Sequence, residues 1–136
     1  MKLTKEIGRT IESCIPSDYV SHIIELESGV HVHITHKCGT SYVACYIPTD
    51  DQKSLVIHSL SVCPKNRRYG IGKRLMDIGE AIGRALGLQR LCLFADRDKW
   101  MKLWYERLGY EFLEDFKSED PYHDNDIWME KSLLVE

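Results

Sequence analysis

The sequence is short of several things that would fix a class at once. It has no C-x-x-C pair: Cys14, Cys38, Cys45, Cys63 and Cys92 are odd in number and widely scattered. That spacing predicts neither a disulfide framework nor a zinc knuckle, only reduced thiols. No apolar run approaches the roughly 18 residues a membrane span needs. The opening Met1-Lys2-Leu3-Thr4-Lys5-Glu6 is charged at once and lacks the apolar core of a signal peptide, so a cytoplasmic protein is expected, with no membrane partner. Repeats, linkers and low-complexity tracts are also missing. At 136 residues the chain suits one domain spanning 1–136, because two would leave each half too little apolar surface for a core. Disorder is excluded by the 10% aromatics and plentiful Leu, Ile and Val, which offset the entropy of ordering the backbone.

Positive charge is scarce except in one place. The net charge is −3, yet Lys65, Arg67, Arg68, Lys73 and Arg74 lie within ten residues that hold no acid. Removing that +5 leaves −8 on the rest of the chain. A nucleic-acid module is therefore disfavoured, since its affinity would come from distributed phosphate contacts.

Periodicity supplies the elements. Ile7, Ile11 and Cys14 or Ile15 recur at helical spacing from a Thr4 cap, and Pro16 ends the pattern. Ser17-Asp18 predicts a second helical turn through Tyr19, Val20 and Ile23, with a further strand proposed over 22–27. Val30, Val32 and Ile34 alternate with His31, His33 and Thr35, as a half-buried strand should. A turn at 37–40 and a returning strand over 41–47 complete a hairpin. The run 55–62 is apolar on both faces and predicts a central strand. Ile71, Leu75, Ile78, Ile82 and Leu86 then form one helical stripe, stopped by Gly87. A short strand over 91–94 follows, then a helix from an Asp98 cap to Gly109, and two last strands over 110–116 and 126–133 around an acidic loop. This order predicts a single mixed α/β (α+β) domain.

The chemistry concentrates where the central strand runs into Arg67-Arg68-Tyr69-Gly70-Ile71-Gly72-Lys73-Arg74 and a helix begins. Glycines allow a tight turn, and a helix start offers unpaired N–H groups and a positive dipole end. Together they form an anion site suited to a pyrophosphate. A Walker loop is excluded by Arg67 and Arg74, which stand where it needs Gly and Ser or Thr. A dinucleotide fingerprint is excluded by Leu75, which stands where its third Gly belongs. A tight turn with a solvated basic rim is the plainer alternative for this loop alone.

Arg67-Arg68-Tyr69-Gly70-Ile71-Gly72 resembles the Arg/Gln-x-x-Gly-x-Gly/Ala cofactor motif of the GNAT superfamily of acyl-CoA-dependent N-acyltransferases. Trp104-Tyr105-Glu106-Arg107-Leu108-Gly109-Tyr110 is similar to that family's late helix, and residues 127–133 to its terminal strand. The likeness covers 53–133 by motif and the first 50 residues by element order. It departs at Asp98, where the family often has Asn, and in a poorly marked first strand.

The resemblance implies a mixed, mostly antiparallel sheet with helices on both faces and splayed central parallel strands. It implies acetyl-CoA, or another short acyl-CoA, as cosubstrate, held by Arg67, Arg68, Gly70, Ile71, Gly72 and Lys73 and by the backbone of Leu60 and Val62. It implies acetyl transfer to a primary amine of a small molecule or peptide, with Tyr105 as general acid, His58 as base and no metal. A homodimer is left open. The alternative is a non-catalytic acyl-CoA-binding or interaction protein of the same fold. Plainer readings stand beside each residue: His58 as a core histidine, Tyr105 as a packing aromatic and Cys63 as a packing thiol. Likewise His31, His33 and His36 read as an exposed strand face rather than a metal site, and Glu119, Asp120, Asp124 and Asp126 as a solvated loop.

Overall fold

A computed structural model describes residues 2–37, 39–64, 69–96, 100–115 and 126–134. Helix α1, Lys5–Ser13, starts where the sequence places it: the Thr4 hydroxyl accepts the Ile7 N–H at 3.1 Å. Ile11 is wholly buried, and the helix ends ahead of Pro16. Thr4→Ala leaves that N–H without its cap and is expected to cost about 1 kcal/mol, read as a lower urea midpoint at unchanged m-value.

The predicted helical turn after Ser17 is instead strand β1, Tyr19–Leu26. It pairs along its whole length with β2, Gly29–His36, from Tyr19 opposite His36 to Leu26 opposite Gly29. Tyr19 and Ile23, four residues apart, satisfy a strand face as well as a helical one, and eight paired positions override the local turn signal. Glycine is required at position 29, at φ 147°, because a Cβ there would strike the Ile47 carbonyl on the neighbouring strand.

Strands β3 (Tyr42–Pro48), β4 (Ser54–Ser61), β5 (Arg90–Asp96), β6 (Glu111–Asp115) and β7 (Asp126–Ser132) complete one sheet in the order β1-β2-β3-β4-β5-β7-β6. Only β4 and β5 run parallel, and helix α2, Ile71–Ala85, is their crossover. The central position of β4 explains why Leu55, Val56 and Ile57 are all buried in succession. Leu75, Ile78 and Ile82 of α2 are buried, while Leu86 at the end of the predicted stripe is half-buried.

The helices do not divide between the two faces. Leu3 N–H bonds Glu25, on the side of β1 shared with Ile23, and α1 rests on α2. Helix α3, Trp100–Arg107, meets the start of α2 through Trp104, and Gly109 after it lies against Lys131. Lys131 in turn bonds Glu80 of α2 at 2.9 Å. All three described helices therefore share one face, over Val32, Cys45, Ile57 and Leu93. For α2 and α3 the reason is crossover hand: β4–α2–β5 and β5–α3–β6 join parallel strands in the same direction across the sheet, and right-handed crossovers put both helices on one face. Among the described residues no helix is long and apolar enough to cross a membrane.

This arrangement also separates the three histidines of β2. His31 and His33 lie on the helix-free face, whereas His36, of opposite parity, is buried against Tyr19 at 5.0 Å between ring centroids. The expectation of one exposed histidine face thus holds for His33; His31 is half-buried on the same face, and His36 is buried on the other.

Candidate active site

Strands β4 and β5 pair only from Ser54–Arg90 to Ile57–Leu93. Beyond that point β4 runs on to Ser61 and β5 to Asp96 without joining, so a gap opens in the middle of the sheet. A bulge accompanies the divergence. Cys45 of β3 faces Ile57 and Ala44 faces Ser59, which makes His58 the extra residue. Bulges bend and twist their strand, and this one turns β4 away from β5. His58 stands at the first position past the pairing, at the vertex of the gap. Leu60 and Val62 follow it, both half-buried, on the strand that forms one wall.

The start of α2 lies beyond the same end of β4. Gly70 caps it at φ 74°, and its carbonyl accepts the Arg74 N–H at 3.0 Å. Among the described residues no side chain caps this helix, which leaves its first-turn N–H groups and the positive end of the dipole for a ligand. A Cβ built on Gly70 meets no atom within 4 Å, so the space above it is open. Gly72 serves a different purpose: a Cβ there would sit 3.2 Å from Val62 and 3.6 Å from the Trp104 ring. It lets β4, α2 and α3 meet at one point. Ile71 is buried, which leaves only its backbone for a ligand. Lys73 is exposed and pairs with Asp77 at 3.0 Å. Arg67 and Arg68 lie outside the described residues, as do Asp98, Glu119, Asp120 and Asp124.

His58 is exposed at the gap, and its pKa is lowered by burial first and by the neighbouring His31 and His33 second. It is neutral at pH 7 and able to accept a proton. Tyr105 is 6% exposed, edge-on to Trp104 at 5.2 Å and Tyr110 at 5.8 Å. Burial pushes its hydroxyl up to about 12, so it keeps its proton at any ordinary pH. His58 lies on the helix-free face and Tyr105 on the helix face, with the splayed layer between them. The structure therefore brings a neutral imidazole to the gap and keeps a protonated phenol behind α2, and it gives no direct contact between the two.

Several features escaped the sequence. Ser41 accepts the Cys63 N–H at 2.8 Å and so ties the loop after β4 to the turn before β3. Asp18 pairs with Arg74 at 3.0 Å, and that guanidinium lies 5.2 Å from the Tyr19 ring centre. The basic cluster thus spends one of its members on holding α2 in place. Nothing local signals either link, because the partners are 22 and 56 residues apart. Burial raises the thiols of Cys45 and Cys92 to about 12 and about 11, which makes them inert. Among the described residues no cluster of three or more His, Cys, Asp or Glu is placed to hold a metal. A cavity of about 720 Å³ on the helix-free face, lined in part by His22, His33, Ala44 and His58, was also not foreseen. The alternation around His33 was visible, but its convergence with β1, β3 and β4 depends on register.

A seven-stranded mixed sheet, split beside an uncapped glycine-led helix start, defines an acyl-CoA-dependent acyltransferase architecture. The family model for the acetyltransferase (GNAT) domain matches residues 23–112, and the chain belongs to that family. Solved structures share the fold at low identity. A nourseothricin acetyltransferase aligns over 98% of this chain and 97% of its own, at 14% identity and TM-score 0.62. A GNAT family acetyltransferase from Elizabethkingia anophelis, solved with acetyl-CoA bound, aligns over 86% and 99% at 14% identity and TM-score 0.63. Ard1 from Thermoplasma volcanium aligns over 99% and 83% at 14% identity and TM-score 0.65. Among curated proteins none matches the sequence significantly.

Proposed function

We propose that the chain transfers an acetyl group from acetyl-CoA directly to a primary amine of a small molecule or peptide, acting in the cytoplasm. The observation that carries this reading is the end of β4–β5 pairing at Ile57 and Leu93, directly below an open helix start. The gap fits an extended thiol arm, since β4 past Ile57 offers backbone groups as a pairing edge does. The amides of Gly70, Gly72 and Lys73 fit a pyrophosphate, with Arg67 and Arg68 as charge-assisted partners. When bound, acetyl-CoA supplies the activated acyl carbon.

An alkyl amine with a pKa near 10.4 is almost wholly protonated at pH 7, which costs roughly 4 to 5 kcal/mol to reverse. His58 accepts that proton, directly or through water, as the amine nitrogen bonds to the acyl carbon. The carbon–sulfur bond then breaks, Tyr105 gives its phenolic proton to the departing sulfur, and the second proton that the nitrogen sheds as the amide forms restores the phenol. No acyl-enzyme is needed, so Cys63 has no chemical part.

The reading is tested by calorimetry with acetyl-CoA and by thiol release across a panel of amines. Binding with release dependent on an amine supports it, and binding with no turnover on any amine favours a binding protein. His58→Ala is expected to lower kcat/KM chiefly near pH 7, with recovery toward pH 10 as the amine loses its own proton. Because burial and its neighbours hold the His58 pKa below 6.5, the wild-type activity limb should lie on the acid side of that value. A pH profile identical in wild type and variant removes His58 as base.

A further inference from the structure

The register of β1 to β4 aligns side chains in rows on the helix-free face. One row runs from His22 through His33 and Ala44 to Ser59. Ile24, His31 and Tyr46 stand on one side of it, and Tyr42 on the other. Ala44 is the smallest of these side chains, so its row is the floor of a trough, with Tyr42 as one wall and His31, backed by Tyr46, as the other. At about 3.4 Å per residue, Tyr42 and Tyr46 stand roughly 14 Å apart along β3, which leaves room for one planar group between their rings.

The walls are fixed in place. His31 stacks on Tyr46 at 4.9 Å with planes 8° apart, and bonds the Ser28 hydroxyl at 2.7 Å. His33 meets Tyr42 edge-on at 4.9 Å, and the Tyr42 hydroxyl bonds Ser59 at 3.2 Å. The cavity of about 720 Å³ over this floor ends at His58 and Ser59, beside the gap between β4 and β5. Among its described lining residues there is no carboxylate, lysine or arginine.

We propose that this trough is the acceptor subsite and that it takes an amine carried on a single aromatic ring system, in preference to a polycation. The assignment rests on the transfer reading above. Aromatic walls and a small floor favour a planar apolar body, whose burial and edge or face contacts supply the affinity. The amine end would then lie toward His58. A polyamine or aminoglycoside would bring further ammonium groups into a trough whose described lining residues include no carboxylate, and among these their desolvation would go uncompensated. The imidazoles add hydrogen-bonding edges to the apolar walls.

The test follows the imidazole proton resonances of the whole chain by NMR during titration with 2-phenylethylamine, and separately with spermidine. The expected result is saturable movement of several histidine signals by 2-phenylethylamine, with a Kd at least tenfold lower than that of spermidine. Ala44→Leu, which fills the floor, is expected to weaken 2-phenylethylamine tenfold or more and leave the acetyl-CoA affinity unchanged. Tyr46→Ala, which removes the ring that backs the His31 wall, gives the same readout should the first variant fold poorly. Tighter spermidine binding, still histidine signals, or an unchanged Kd in the folded variants overturns the trough. Thiol release with 2-phenylethylamine that Ala44→Leu does not alter also overturns it and leaves the transfer reading standing. Binding that Ala44→Leu abolishes, without any thiol release, keeps the trough and removes the transfer reading.

Discussion

Tyr105→Phe is expected to lower kcat by about 100-fold or more, with little change in acetyl-CoA affinity. The substitution removes one hydroxyl from a ring held on three sides by Trp104, Tyr110 and the core, so the ring itself should not move. Burial holds the phenol near pKa 12, so at neutral pH it is a proton donor and never a base. A departing thiolate without a donor must take its proton from solvent, and general acids typically contribute 10² to 10⁴-fold. A 100-fold loss is about 2.7 kcal/mol in the barrier. Since phenylalanine is the more apolar of the two, the fold should be at least as stable, and an unchanged or raised Tm separates chemistry from unfolding. Full kcat in the variant, measured where chemistry is rate-limiting, removes Tyr105 as the acid and leaves it a packing aromatic.

Gly70→Asp is expected to weaken acetyl-CoA by about 100-fold in calorimetry. The position has φ 74°, a conformation that Asp and Asn tolerate better than other side chains, and a Cβ there meets nothing within 4 Å. The fold should therefore survive. What changes is the sign of the charge at a helix start proposed to hold a pyrophosphate. Two like charges about 4 Å apart near a protein surface repel by about 4 kcal/mol, ample for the effect. Gly70→Asn has nearly the same shape without the charge and should lose much less. Equal losses in the two variants would point to shape alone, and no loss in either would move the phosphate site elsewhere.

These two residues were legible for different reasons. Gly70 stands in a compact motif in which spacing, charge and the strand-to-helix change coincide within ten residues. Tyr105 was legible through its likeness to a family helix, while its burial and raised pKa appear only once α3 is laid beside α2. His58 was legible as a titratable residue on a central strand. Its place at the bulge was not, because a bulge is a property of two strands and neither sequence alone contains the mismatch.

The local elements and their order are written in short stretches of chain: α1 with its Thr4 cap, the hairpin of β2 and β3, the buried run of β4, the stripe of α2 and the glycine stops at Gly87 and Gly109. Each is encoded by spacing or capping within a few residues, where local physics suffices. That Tyr19–Leu26 extends as a strand follows from long-range pairing, since the ladder with β2 outweighs a weak helical signal. The tertiary structure also decided that the described helices gather on one face and that His36 parts from His31 and His33. The same pairing aligns His22, His33, Ala44 and Ser59 in one row. Those outcomes depend on register and chain connection between residues far apart in sequence, and one step of register in a strand turns every side chain to the opposite face.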